Sequence, residues 1–87
     1  MKFTVDWTVD ADSQMTEMWL QSSKRTEFTK SIRYLERLLG TNADIEGESR
    51  DGGYRILFYG PFAAYYRVSL ENLQVVIASI GWSGQPE

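Results

Sequence analysis

The sequence predicts an α+β fold in which two helices pack on one face of a mostly antiparallel sheet. Three observations support this: an alternating apolar segment at the N-terminus, two consecutive segments with apolar residues at helical spacing, and three short β-rich segments separated by turns. The last three segments are too close together for the crossover connections that parallel strands need. We therefore expect a three-stranded antiparallel meander at the C-terminus and not a parallel α/β fold.

The N-terminal segment from Lys2 to Thr8 alternates between apolar and polar residues, which is typical of a half-buried strand. Because side chains alternate between the two faces of a strand, its apolar residues all point the same way. The residues of this apolar face are Phe3, Val5 and Trp7.

Two helices follow. Asp10 and Asp12 provide N-cap chemistry for the first, which we expect to end near residues 21–23. The second ends at Gly40, a residue that often terminates helices. A turn around residues 22–24 joins them as an antiparallel hairpin. The apolar stripes are Ala11, Met15, Met18 and Trp19 in the first helix and Phe28, Ile32, Leu35, Leu38 and Leu39 in the second.

The second half of the chain predicts a polar loop and then strands. The loop runs from Thr41 to Gly53. The last strand is apolar without interruption, which favours a central position in the sheet with both faces buried. A short tail, residues 81–87, follows it. The three strands are predicted at Tyr54–Tyr59, Phe62–Val68 and Gln74–Ile80.

Length and composition restrict the architecture and the chemistry. With 87 residues, we expect one domain, residues 1–87. The chain has no cysteine and no histidine, so thiolate or imidazole metal sites and Ser–His or Cys–His catalytic pairs are excluded. We expect no metal and no cofactor, and any catalysis has to use Arg, Lys, Tyr or carboxylates.

The charge and the length of the apolar runs indicate what the chain binds and where it works. Nine Lys and Arg residues against twelve Asp and Glu residues give a net charge of −3, which disfavours nucleic acid as the main partner. The longest apolar runs have the length of a strand, so no membrane span is predicted. Nothing suggests secretion, and we expect a cytoplasmic protein.

The order of elements and several short motifs resemble one toxin superfamily over essentially the whole chain. The first helix closes on Met18-Trp19 and the second on Leu38-Leu39. A segment of Arg, a short Gly-containing loop, an aromatic residue, a basic residue and Ile lies within Glu48–Phe58, and Tyr65–Val68 follows a turn later. In these features the chain resembles the toxins of the RelE/ParE superfamily, the toxin components of type II toxin–antitoxin systems.

This resemblance implies a bacterial protein that inhibits growth and is neutralised by a cognate antitoxin. RelE-like members cut messenger RNA in the ribosomal A site without a metal, and ParE-like members block DNA gyrase. The nucleases use Lys and Arg residues of the sheet together with a C-terminal Tyr or His. Such donors suit the reaction because developing charge on phosphate needs preorganised hydrogen-bond donors.

Most positions of the nuclease motif carry other residues here. Arg55 matches the basic residue that begins the second strand of the nucleases, but Leu57 and Ala63 stand where further basic residues are expected. Trp82-Ser83 replaces the basic pair near the C-terminus, and the tail from Gly84 to Glu87 has no Tyr or His. The resemblance therefore favours a toxin that acts by binding a protein. The alternatives are a RelE-like endoribonuclease and a degenerate toxin fold that retains only binding.

Arg50, Arg55 and Arg67 are the candidate catalytic residues, because they are the only basic residues in the second half of the chain. They predict a patch that faces a phosphate or a protein target. The alternative is structural: Arg50 caps a loop, and the other two pair across strands or cover aromatic rings.

Three further groups of residues can likewise have either a functional or a purely structural role. The tyrosines supply acid–base chemistry or pack in the sheet, with packing favoured for most of them. The basic face of the second helix is solvated or docks an acidic antitoxin segment. The acidic residues of the polar loop are solvated and lack the pattern of a calcium site. The groups are Tyr54, Tyr59, Tyr65 and Tyr66; Lys24, Arg25, Lys30, Arg33 and Arg37; and Asp44, Glu46, Glu48 and Asp51.

Overall fold

The computed structural model of the chain describes residues 2–84. A five-stranded sheet carries two helices on one face. One turn of 3-10 helix, Asp51–Gly53, precedes the third strand. The other elements are β1 (Thr4–Trp7), α1 (Val9–Gln21), α2 (Arg25–Asn42), β2 (Glu48–Ser49), β3 (Tyr54–Tyr59), β4 (Phe62–Ser69) and β5 (Gln74–Trp82).

The strands are arranged in the order β1-β5-β4-β3-β2. β1 runs parallel to β5, and every other neighbouring pair is antiparallel. The connection between these parallel strands contains both helices and the strands β2, β3 and β4, so it is long enough for the crossover that a parallel pair requires. The predicted α+β fold, with an N-terminal strand, a helical hairpin and a meander, is therefore confirmed.

The first helix begins at Val9, before the two acidic residues that were predicted to cap it. Thr8 is the N-cap: its Oγ1 accepts a hydrogen bond of 3.0 Å from the Ala11 backbone N–H. The N-cap predicted at Asp10 or Asp12 is wrong. Both carboxylates lie in the first turn instead, where negative charge interacts favourably with the helix dipole. The helix ends at Gln21, within the predicted range.

Gly40 does not end the second helix, which continues to Asn42. Its carbonyl oxygen accepts a 2.7 Å hydrogen bond from the Phe3 backbone N–H. A Cβ atom at Gly40 would lie 3.8 Å from the Phe3 carbonyl oxygen. This is an ordinary van der Waals distance, so the contact with β1 does not require glycine at this position.

The hydrophobic core lies between the helix pair and the sheet. Leu35 and Leu39 of α2 are completely buried against Phe62, Tyr66 and Ile77 of the sheet. Burying a side chain of this size contributes about 1.5–3 kcal/mol, so these residues hold the helices on the sheet. Aromatic rings continue the core toward the start of α2, where Phe28 packs edge-on against Phe62 and Trp82.

β5 is an interior strand of the sheet, between β1 and β4, in agreement with the predicted position away from the edge. Its helix-facing residues Val75, Ile77 and Ile80 are buried, but Val76 and Ser79 on the opposite side are only partly buried. The prediction of burial on both faces is wrong because the described residues form no second layer over that side. The strand also continues to Trp82, into the predicted tail, while residues 85–87 lie outside the described part.

The segment predicted as the loop Thr41–Gly53 contains regular structure. It includes the last turn of α2, the two-residue strand β2 and the 3-10 turn. β2 has two residues and the 3-10 turn has three, so neither is long enough to show a periodic pattern in the sequence.

No helix within residues 2–84 is long and apolar enough to cross a membrane.

Candidate functional site

The pairing of the strands places the three candidate arginines in different surroundings. Arg55 is opposite the buried Tyr66 and therefore faces the helix side of the sheet. Arg67 is opposite Tyr54 on the other side, which we call the open face. Arg50 follows β2 and is exposed. The residues of β3 and β4 on the open face are Tyr54, Ile56, Phe58, Ala63, Tyr65 and Arg67.

The Arg55 guanidinium is engaged with backbone carbonyl groups. Its Nε donates to the Glu46 oxygen at 2.6 Å, and its Nη2 donates to the Gly47 oxygen at 3.2 Å. Because the side chain is half-buried, these carbonyl groups replace part of the hydration that the cation would otherwise have. Arg55 thus anchors the chain before β2.

Tyr66 is completely buried beside Arg55. Its single hydroxyl proton is shared between two carbonyl oxygens, that of Glu46 at 2.8 Å and that of Ala43 at 3.0 Å. Burial raises the pKa of the Tyr66 phenol, and the nearby Arg55 cation partly opposes this. The phenol is therefore protonated at neutral pH and holds the same segment as Arg55.

Arg50 lies near Arg55 but has a surface ion pair. Its Nη2 is 3.2 Å from Glu48 Oε1, and its Nη1 donates to the Ser49 oxygen at 3.0 Å. Arg50 and Arg55 both line a small cavity of about 220 Å³, which Asp44 also lines. Arg67 is not among the residues that line this cavity. The structure therefore brings two of the three candidates together.

Arg67 supports an aromatic pair on the open face. Its Nε donates to the Gly52 oxygen at 3.1 Å, and its guanidinium carbon lies 5.9 Å from the centre of the Tyr54 ring. Tyr54 stacks on Tyr65 with ring centres 4.9 Å apart and planes 4° apart. Tyr59 likewise stacks on Tyr34 of α2 at 5.3 Å. All four tyrosines of the sheet thus take part in packing or in buried hydrogen bonds.

The positions that match the nuclease motif do not share one face. Leu57 is buried on the helix side, next to Ala64 of β4. Ala63 lies on the open face between Phe58 and Gly81. Trp82 returns to the helix side and packs on Phe62. Even basic residues at these positions would not all point toward one substrate.

No group of three acidic side chains within residues 2–84 is arranged so that it could hold a metal ion. The acidic residues of the polar loop have other surroundings. Glu48 pairs with Arg50, and the Glu46 backbone oxygen accepts hydrogen bonds from Arg55 and Tyr66.

A concave apolar surface that the sequence did not reveal lies between the two helices. This interhelical groove has a volume of about 430 Å³. Asp12 and Thr16 of α1 line one rim, and Thr29, Arg33 and Glu36 of α2 line the other. Its apolar floor consists of Trp7, Met15, Trp19, Phe28 and Ile32.

Trp7 and Trp19, the two tryptophans of the groove floor, each contact a charged side chain. Trp7 Nε1 donates to Glu36 Oε2 at 2.8 Å. The Arg25 guanidinium carbon lies 4.6 Å from the centre of the Trp19 ring, and Arg25 Nε donates to the Trp19 oxygen at 3.2 Å. Four of the five floor residues belong to the apolar stripes of the two helices, which indicated ordinary core, and Trp7 belongs to β1. Only the packing of the helices shows that part of these stripes remains open.

The fold is similar to two solved toxin–antitoxin structures. No family model matches the chain, and no curated protein sequence matches it. A chain of the chromosomal ParDE system from P. aeruginosa is 20% identical, with a TM-score of 0.73 over 95% of this chain and 98% of that one. A chain of the RelBE2 toxin–antitoxin complex from Mycobacterium tuberculosis is 16% identical, with a TM-score of 0.74 over 94% of this chain and 99% of that one. The chain therefore has the fold found in these structures, and the RelE/ParE-like fold that the sequence predicts is confirmed.

Proposed function

We propose that the chain is the toxin component of a type II toxin–antitoxin system, that a cognate antitoxin neutralises it, and that it acts by binding a protein target. The observation that carries this proposal is the match over nearly the whole chain to two structures described as toxin–antitoxin systems. The match leaves no large insertion or missing element that would suggest a different use of the fold. Residues 1–87 then act as one toxin domain in the bacterial cytoplasm.

The interhelical groove supports a polypeptide partner. An amphipathic helix binds by laying its apolar face into a hydrophobic groove of this kind. Trp7 and Trp19 supply large rigid surfaces, and tryptophan is one of the residues that dominate binding energy at interfaces. An antitoxin segment that fills the groove would cover apolar surface that is otherwise in contact with water.

The chemistry of the arginines argues against RNA cleavage. Phosphoryl transfer needs a proton acceptor and positive charge at one place. Arginine stays protonated, so it is a poor base, and Arg55 already donates to two carbonyl oxygens. The Tyr66 phenol is buried, and burial raises its pKa. The phenolate form, which would have to act as the base, is therefore disfavoured. These features favour binding over catalysis.

The open face suits a protein target such as the DNA gyrase that ParE-like toxins block. Phe58 is 54% exposed there, beside the stacked pair of Tyr54 and Tyr65. Aromatic residues and arginine are enriched in protein interfaces. With Arg67 at the edge of the pair, this face has the composition of a protein-binding surface.

A second candidate function is that of a metal-independent, ribosome-dependent endoribonuclease. One observation favours it: Arg50 and Arg55 line the same cavity. Asp44 also lines this cavity, and its negative charge disfavours a phosphate. A degenerate toxin fold that retains only binding is the remaining alternative.

Mapping of transcript 5′ ends separates these functions. The chain is induced in a bacterial host without any antitoxin, and growth and 5′ ends are followed together. We expect growth arrest with intact transcripts, in the wild type and in Arg50→Ala. Arg50 is a suitable probe because it is exposed and its loss should leave the fold intact. Cuts in phase with codons that disappear in Arg50→Ala or Arg55→Ala, with soluble protein at the wild-type level, would restore the nuclease.

A further inference from the structure

The two helices that border the interhelical groove carry opposite charge. α1 has three acidic residues and no basic one, a net charge of −3. α2 has four basic and two acidic residues, a net charge of +2. The acidic residues of α1 are Asp10, Asp12 and Glu17, and the basic residues of α2 are Arg25, Lys30, Arg33 and Arg37.

These charges do not neutralise each other. The one ion pair within residues 2–84 joins Arg50 to Glu48, in the segment around β2. Asp12 and Arg33 line opposite rims of the groove, and neither side chain has a hydrogen-bond or ion-pair partner in that part of the chain. The apolar floor holds the two rims apart. Both charges are therefore available to a molecule that occupies the groove.

The α2 rim also carries Glu36, which accepts the hydrogen bond from the Trp7 indole and keeps its negative charge. Positive charge on the α2 side therefore depends on Arg33 together with Lys30, which lies beyond the groove. A second cavity of about 330 Å³ continues along α2 and shares Arg33 with the groove, and Lys30 also lines it. The α2 side thus presents Arg33 and Lys30 as free cations along one line. The α1 side of the groove presents the Asp12 carboxylate.

We propose that Asp12 and Arg33 select the charge pattern of the segment that binds in the groove. The occupant is an amphipathic helix of a partner protein with three features: an apolar face for the floor, basic residues on the flank beside α1, and acidic residues on the flank beside α2. This inference rests on the proposed function in so far as the partner is the antitoxin. The basic face of α2 alone predicts an acidic partner segment, whereas the groove as a whole predicts a segment with one basic and one acidic flank.

The charges at the rims contribute more to the choice between partner helices than to the strength of binding. Exposed ion pairs contribute little, so each matched flank should improve Kd by about two- to five-fold. A mismatched flank places like charges together, and such repulsion excludes wrong partners. The apolar floor supplies affinity for any helix of suitable shape, and the rims then distinguish between such helices.

Three synthetic stapled helical peptides with the same leucine face test this. Their flanks are glutamate on one side and lysine on the other, glutamate on both, or lysine on both. A helix can enter the groove in either direction, so the bipolar peptide can always align with the rims. By fluorescence anisotropy we expect the bipolar peptide to bind purified protein tightest, by about two- to five-fold over each uniform peptide at low salt. That advantage should shrink at 0.5 M salt, because salt screens exposed charges.

Charge-reversal variants identify the residues responsible. Asp12→Lys should make the glutamate peptide the tightest binder, and Arg33→Glu should do the same for the lysine peptide. Glu17→Lys and Arg37→Glu are matched controls, since they change the net charge equally on the same helices but do not line the groove. We expect both controls to keep the wild-type preference. If a reversal lowers the melting temperature markedly, the neutral variants replace it: Asp12→Asn should make the bipolar and glutamate peptides bind equally, and Arg33→Gln should do the same for the bipolar and lysine peptides.

The proposal is overturned if the three peptides bind equally, if none binds at millimolar concentration, or if the control variants shift the preference as much as the rim variants. These measurements use purified protein and do not depend on toxicity. A chain without toxicity that still prefers the bipolar peptide would contradict the proposed function alone. A toxic chain without this preference would contradict the inference alone.

Discussion

Tyr66 and Arg55 donate to the same backbone oxygen, that of Glu46, at 2.8 Å and 2.6 Å. One residue approaches it from β4 and the other from β3, so the pair ties the sheet to the chain that leaves α2.

Tyr66→Phe should lower the free energy of unfolding by about 1–3 kcal/mol. The change keeps the ring in the core but leaves the Ala43 and Glu46 oxygens without this hydroxyl. Urea denaturation measures the difference. Tyr65→Phe is the control, because the Tyr65 ring stacks on Tyr54 and that contact survives the change. An equal effect of both substitutions would show that the buried hydrogen bonds contribute nothing particular.

The advantage of Tyr66 over phenylalanine should disappear at alkaline pH. The folded-state pKa is raised, so the neutral phenol stabilises the fold fully below the unfolded-state pKa of about 10. That contribution is lost as the pH rises through the higher folded-state pKa. We expect a constant difference in melting temperature between wild type and Tyr66→Phe from pH 6 to 9 and a narrowing difference above about pH 10. Narrowing between pH 6 and 8 would contradict this assignment.

Gly47→Ala should destabilise the protein much more than Gly60→Ala. Both glycines have positive φ, +71° and +57°, so each alanine incurs a conformational cost of about 1–2 kcal/mol. At Gly47 the new Cβ would also collide with the Ile56 carbonyl group, whereas at Gly60 no atom lies within 4 Å. Thermal denaturation of the two variants compares them. Similar losses of stability would mean that the Gly47 backbone can move away from β3 at little cost.

Leu35→Ala should cost about 2–5 kcal/mol, the usual range for truncating a buried leucine. Leu35 is 0% exposed, between α2 and the sheet. Leu20→Ala on α1 is the control, because Leu20 is 52% exposed, and we expect a loss below about 1 kcal/mol there. Chemical denaturation gives both values. A loss at Leu35 well below 1 kcal/mol would contradict its place in the core.

The sequence predicted the long periodic elements better than the short ones. The strand Tyr54–Tyr59 is found at the predicted residues, because alternation and the Gly60-Pro61 turn both define it. β2 was missed, since a strand of two residues is too short to show an alternating pattern. Gly40 was misinterpreted because glycine often follows the last turn of a helix, whereas α2 continues to Asn42.

The candidate site was less predictable than the fold. Arg55 and Arg67 are twelve residues apart and lie on opposite faces, a fact that depends on the register between β3 and β4. The interhelical groove depends on the angle between two helices, which the apolar stripes do not determine. Sequence could supply the residues of both sites, but their arrangement is a property of tertiary packing.

The central claim, a toxin controlled by a partner, is tested most directly by growth. The chain is induced in a bacterial host, alone and together with each reading frame that adjoins its gene, and colony-forming units are counted. We predict arrest when the chain is expressed alone and normal growth when one of these reading frames is expressed with it. Unchanged growth in cells that contain the folded, soluble chain alone would contradict the claim.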